Sequence, residues 1–319
     1  MRVIAKILAG TALALLAYIV VGGVMTALSG PLKMRGEMVD IGGGRRMHLI
    51  CEGPKGPAPT VLFEAGAFGF SADWGAVQEK VVAEGHRACS YDRAGMGISD
   101  PGPAPRDGDA IIGDLEKLLA AAHEDGPFIL VGHSMAGLYL RLYANRNPDK
   151  VAGLVLVDAT TPEATETPLI RRFVKQFVNA TGLASVGASL GLYAPLAGTP
   201  LGDKIGLPPA ASAEKRRAFA SARHNRTAAA EVKQWFATAE EAKATGPLNP
   251  EWPVAVVTAG PHHQRLGYKS MQNAPAELSH HGYVEAVDQA GHATLLGMKF
   301  GGHVVKAIDF VRDAAAHRA

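Results

Sequence analysis

Residues 129–140 read ILVGHSMAGLYL: an apolar run, a break at Gly132-His133-Ser134, then a second apolar run. The first run, within PFILVGH, has the length and composition of a buried strand. The second, from about Met135 to Asn145, has helical spacing. A strand that enters a helix through glycine, histidine and serine must turn sharply. Such a turn lifts the Ser134 hydroxyl above the carboxyl edge of a sheet and aims the helix N-terminus at it. A serine hydroxyl is a weak nucleophile alone, so the rest of the chain must supply a base and an orienting acid.

Outward from this turn, apolar runs bounded by turn residues predict further strands in RRMHLICEG, TVLFEAG, HRACSYD, VAGLVLVD, PVAVVTAG and YVEAVDQAG. Between them lie helical patterns. SADWGAVQEKVVAEG places Trp74, Val77, Val81 and Val82 on one face, with Ser71 as its cap, and Trp74 reads as core. DAIIGDLEKLLAAAHE is amphipathic on Ile111, Ile112, Leu115, Leu118 and Leu119, and GGHVVKAIDFVRDAAAH closes the chain. Alternating strands and helices predict an α/β fold, a mostly parallel sheet covered on both faces. Residues 31–48 read as a linker into the first strands. Residues 161–250 are helical without a clear strand, and an insertion of that size reads as a lid over one end of the sheet.

The N-terminus differs in kind. After Arg2 and Lys6, no charge occurs until Lys33. As a helix this stretch of about 26 residues spans about 39 Å, more than the roughly 30 Å of a hydrocarbon core. Residues 1–30 therefore read as a membrane anchor, or as a signal peptide with Ala27 and Ser29 at its cleavage site. Arg2 and Lys6 favour a cytoplasmic start, which leaves the remainder outside the cytoplasm, membrane-anchored or, after cleavage, secreted or periplasmic. The formal charge of +2 and the absence of a long basic run exclude an electrostatic footprint for nucleic acid.

The turn Gly132-His133-Ser134-Met135-Ala136-Gly137 resembles the nucleophile elbow, Gly-x-Ser-x-Gly, of the α/β-hydrolase superfamily. Ala136 stands in place of the second glycine. YDRAGMGIS (91–99) and AGHATLL resemble two further loops of serine hydrolases in that superfamily, in the same order, and the likeness extends over roughly residues 46–315. The chain then divides into a core in two parts, 31–160 and 251–319, with a helical lid at 161–250.

The resemblance implies Ser134 as nucleophile and His292, after the last strand, as base. His262, His263, His280 and His281 are less well placed, and no carboxylate or cysteine completes a metal site from these pairs. The oxyanion donors would be the backbone N–H groups of Met135 and Ala67. The acid stays open. No Asp or Glu follows PVAVVTAG before Glu277, and Asp288 precedes His292 by only four residues. Asp158 ends the strand next in sequence to the one carrying Ser134, which makes it the first choice, against a role as cap of the TTPEA turn. His133 reads as a packing residue, Asp92 and Arg93 as braces beneath the site, and Glu64 either as a partner for Arg93 or as a carboxylate facing water. Met135, Tyr139 and Tyr143 read as packing, with Met135 also able to line the pocket.

The expected activity is hydrolysis of a small-molecule acyl ester through an acyl-serine, with neither cofactor nor metal required. The same triad could also serve acyl transfer or aminopeptidase action, and the fold could persist in a non-catalytic binding protein. Serine at the elbow, where epoxide hydrolases and haloalkane dehalogenases carry aspartate, argues against those chemistries. In the usual strand order of the superfamily, Cys51 and Cys89 lie in antiparallel neighbours. Export would permit a disulfide there, with two buried free thiols as the alternative.

Overall fold

Ile129 and Val131 point to one side of their strand and Leu130 to the other, and all three are fully buried. A strand that is apolar on both sides needs a packed layer on each. The computed structural model, which describes residues 2–28, 34–260 and 266–317, supplies both layers. An N-terminal helix α1 (Arg2–Leu28) precedes strands β1 (Glu37–Asp40), β2 (Arg46–Glu52) and β3 (Thr60–Glu64). Then come α2 (Gly75–Ala83), β4 (Ala88–Tyr91), α3 (Gly108–Ala121), β5 (Phe128–His133), α4 (Ala136–Arg146) and β6 (Val151–Val157). Five helices follow without a strand: α5 (Pro162–Thr165), α6 (Pro168–Ser189), α7 (Pro209–Ala220), α8 (Ala222–Lys233) and α9 (Trp235–Ala244). The chain returns to the sheet with β7 (Val254–Ala259), α10 (Leu266–Glu277), β8 (Gly282–Val287) and α11 (Gly301–Ala316).

The eight strands form one sheet in the order β1-β2-β4-β3-β5-β6-β7-β8. β2 runs antiparallel to β1 and β4, and every other pair is parallel. Val77 and Val81 of α2 join Val304 and Ile308 of α11 on one face. Ile112 and Leu118 of α3 join Leu138 and Leu142 of α4 on the other. The carboxyl ends of β5, β6 and β7 therefore share one edge, and the five consecutive helices leave from it.

Several expectations change. Glu37–Asp40, read as linker, is an edge strand, with Glu37 opposite Leu49. Ser71 does not cap a helix. It opens a short 3-10 turn, and its hydroxyl donates to Asp92 Oδ1 at 2.6 Å. The segment after β7 continues into α10, a helix the sequence reading missed because Pro275 stands inside it. Cys51 lies opposite Cys89 across β2 and β4, and their sulfurs are joined as a disulfide, so the alternative of free thiols falls. By length and composition α1 is able to cross a membrane. Ser29, Lys33, His262 and His263 lie outside the described residues.

Candidate active site

The turn out of β5 puts Ser134 at φ +58°, in the left-handed region. Such a conformation costs a non-glycine residue on the order of 1–3 kcal/mol and persists only when its surroundings hold it. Here they do. The Ser134 N–H donates to Val157 O at 3.1 Å, and Ser134 O accepts from Thr160 N at 2.9 Å. The neighbouring small residues are steric requirements. A Cβ on Gly137 would lie 2.4 Å from Thr160 O, and one on Gly132 would lie 2.6 Å from Leu140 Cδ1. That Gly132 Cβ would also meet the Ala136 methyl at 3.2 Å, so Ala136 fits because residue 132 has no side chain.

Asp158 follows β6 at the same edge, with φ +43°. Its Oδ2 accepts from His292 Nδ1 at 2.6 Å, and its Oδ1 accepts from Gln272 Nε2 at 3.1 Å and Ala259 N at 3.3 Å. Burial opposes ionisation of this carboxyl. The hydrogen bonds from His292, Gln272 and Ala259 and the charge of His292 outweigh that effect and hold it below the usual carboxylate range. Asp158 is not the cap of the next helix. Thr161 is, accepting from Ala164 N. Glu277 and Asp288 are exposed, and it is Asp158 that receives His292 Nδ1.

Ser134, Asp158 and His292 line one cavity of about 840 Å³ together with Ala67 and Phe68. That volume suits a small organic ligand. Met135 is fully buried, with its sulfur 3.6 Å from the Tyr139 hydroxyl, so its side chain packs and does not line the cavity. Its backbone N–H stands at the start of α4. Gly66 closes the opposite wall so tightly that a Cβ there would sit 2.8 Å from Ser134 Cβ and 2.9 Å from His133 O.

His133 packs beside His292. Its ring centroid is 4.4 Å from that of His292, and its Nε2 lies 3.0 Å from His292 O. Burial, then the charge of His292, pushes the His133 imidazole down to about 3, so it is neutral and donates through Nε2.

Beneath the site, Glu64 pairs with Arg93 at 2.6 Å as expected, but a second carboxylate, Glu231 of α8, also meets Arg93 at 2.8 Å. Arg93 further donates to Ala65 O at 2.6 Å and Gly66 O at 2.9 Å. One buried guanidinium thus fixes the loop behind Ala67 to a helix 138 residues away. Asp92 braces in the same manner, accepting from His48 Nδ1, Ser71 and Ile98 N. Glu231 and Gln272 are contributors that sequence reasoning missed, because neither adjoins a site residue in the chain.

Among the described residues one group has metal-ligand proximity, Cys51, Cys89 and Glu124. Its sulfurs are bonded to each other, and Glu124 pairs with Arg87 and Lys55.

A family model described as alpha/beta hydrolase fold matches residues 59–296. A probable esterase of Oryza sativa subsp. indica, PIR7A, is 39% identical over 98 residues, which are 28% of this chain and 35% of that protein. The chain spans 18 to 40% of the length of the curated relatives it matches. A thermophilic esterase from Thermogutta terrifontis shares the fold with a TM-score of 0.64 at 18% identity, over 88% of this chain and 100% of that one. An epoxide hydrolase from Bacillus megaterium does so with a TM-score of 0.62 at 15% identity, over 86% and 99%.

Proposed function

The chain belongs to the alpha/beta hydrolase fold family, and from that premise we propose that it is a serine hydrolase of carboxylic esters. The observation that carries the reading is the 2.6 Å bond that Asp158 accepts from His292 at the rim of the cavity that Ser134 enters. In this mechanism the Ser134 oxygen attacks the acyl carbon while His292 Nε2 takes its proton. Asp158 keeps the proton of the neutral ring on Nδ1, which leaves Nε2 free to accept, and it stabilises the imidazolium that forms. The N–H groups of Met135 and Ala67 receive the oxyanion, aided by the N-terminal end of α4. The alcohol leaves with the proton from His292. Water then attacks the acyl-serine by the same route, releasing the acid and restoring Ser134.

Serine at residue 134 favours this chemistry over the aspartyl-ester route of epoxide hydrolases, despite the shared fold. The helices between β6 and β7 act as a lid over the cavity. We assign α1 as the anchor, with the catalytic domain outside the cytoplasm, where the Cys51–Cys89 disulfide is chemically at home.

A fluorophosphonate probe should label Ser134, and Ser134→Ala and His292→Ala should each lower turnover of a panel of acyl esters by about 10³-fold or more. Label at another residue, or normal turnover in either variant, ends the assignment.

A further inference from the structure

The lid helix α6 presents an apolar face to the outside. Leu169, Phe173, Leu183, Val186 and Leu190 are all exposed, Leu183 by 75%. At helical spacing they occupy an arc of about 140°. Scattered exposed leucines are ordinary, but these share one side of the helix, with Arg172, Gln176 and Asn179 among them. The same helix carries Arg171, Arg172 and Lys175 and no carboxylate. Exposed apolar residues with basic side chains among and beside them suit a helix in the boundary layer of an anionic bilayer, where the cationic ends reach the headgroups.

Two further observations bear on what covers this face. The first is α1, which docks on the turn after α6. Tyr18 donates to Leu192 O at 3.0 Å, and a Cβ on Gly22 would lie 2.1 Å from Gly191 O. The 27 residues of α1 span about 40 Å, some 10 Å more than a hydrocarbon core requires. With Arg2 at one surface, the core ends about seven residues before Leu28, close to Gly22. The docking turn then stands at the opposite headgroup boundary, the depth at which an amphipathic helix rests.

The second is the cavity. Leu169, Phe173 and Leu201 are exposed and also line it, so the cavity opens within the apolar face. Resting on the ester reading above, we propose that the α6 face of the lid lies in the boundary layer of an anionic bilayer, and that the substrates are long-chain acyl esters entering the cavity directly from that layer. The hydrolysis is as written above. What the surface adds is the source of the ester: its acyl chain passes from lipid to cavity along Leu169, Phe173 and Leu201 without crossing water.

The test reconstitutes the full chain in phosphatidylcholine–phosphatidylglycerol vesicles with brominated acyl chains. Because Cys51 and Cys89 are joined, Leu183→Cys, Leu190→Cys and Asp125→Cys each offer one thiol for a fluorescent label. Asp125 precedes β5 at the opposite end of the sheet and serves as control. Bromination should reduce emission at residues 183 and 190 at least about threefold and leave residue 125 nearly unchanged. Equal quenching at 183 and 125 overturns the proposal. So does label-to-label excimer emission at 183 without lipid quenching, which assigns the face to a second copy of the chain. In the activity arm, Leu183→Glu with Leu190→Glu should lower turnover of a long-chain ester dissolved in the vesicles about tenfold, with turnover of a water-soluble acetyl ester held within about twofold. Unchanged turnover of the dissolved ester overturns the entry route. Loss on both esters marks damage to the lid, and quenching then decides. A wild-type chain inactive on both esters refutes the ester reading and the substrate with it, while quenching still decides the docking.

Discussion

Asp158 and His292 are 134 residues apart in the chain, yet Oδ2 of one lies 2.6 Å from Nδ1 of the other. The contact exists because β6 ends at the carboxyl edge of the sheet and the loop after β8 returns to that edge. Asp158 also receives Gln272 and the Ala259 N–H, so its orientation is set from β7 and α10 as well as by its own backbone. If it is the orienting acid, Asp158→Asn should lower ester kcat by about 10⁴-fold, since an amide holds the imidazole in the wrong tautomer. Glu277→Gln and Asp288→Asn should stay near wild type. Steady-state kinetics on the three variants decides the matter, and a collapse in one of the latter two moves the acid elsewhere.

Gly66 should tolerate no side chain. Its Cβ would meet Ser134 Cβ at 2.8 Å and His133 O at 2.9 Å, and neither can retreat, because the elbow is pinned by Val157 and Thr160. Gly66→Ala should therefore displace Ser134 or the loop at Ala67. Small misplacements at such sites cost about 10²-fold. We expect a loss of that order in kcat, with fluorophosphonate labelling slowed in parallel and circular dichroism unchanged. Full activity in this variant would show that the loop at residue 66 shifts freely.

The Cys51–Cys89 bond closes a span of 38 residues between adjacent strands. Restricting the unfolded chain over that length contributes about 3–4 kcal/mol in the chain-entropy model. Cys51→Ser with Cys89→Ser should lower the midpoint of thermal unfolding in detergent by several degrees and leave kcat intact, since both residues are remote from the carboxyl edge. An unchanged midpoint would place the stability of this region in β-sheet packing alone.

The strand–elbow–helix unit was legible because its signals are local: a run buried on both faces, then small residues where strand and helix approach. The position of Asp158 at the same edge as Ser134 was legible from topology, since consecutive parallel strands end at one edge. Glu231, Gln272 and the docking of α1 on Gly191 were not. Each is a long-range contact whose partners lie far apart in the chain, and only the fold brings them together. Ser71 shows the reverse failure. Its local pattern suits a helix cap, but the buried Asp92 carboxylate is a stronger partner for the hydroxyl than a free backbone N–H.

His224 of α8 accepts from Gly97 N through Nδ1 at 3.1 Å, and its Nε2 lies 3.2 Å from Phe68 O. The contact with Gly97 requires the neutral ring, because a protonated Nδ1 cannot accept, while Nε2–H donates to Phe68 O in either state. Burial, then the charge of Lys215, pushes His224 down to about 3, as burial and His292 do for His133. An unfolded histidine titrates near about 6.5. Both folded values lie below it, so this stability is fully present above pH 6.5 and is lost as the pH falls toward 3. Between pH 6.5 and 5 each ring contributes a loss of about 2 kcal/mol. His48, raised in the fold mainly by Asp92 against its burial, offsets part of this. Gln can keep both contacts, accepting from Gly97 and donating to Phe68, without titrating. His224→Gln should therefore match wild type in thermal midpoint near neutral pH and exceed it at pH 5. A gap that does not widen on acidification would mean that His224 is not held neutral.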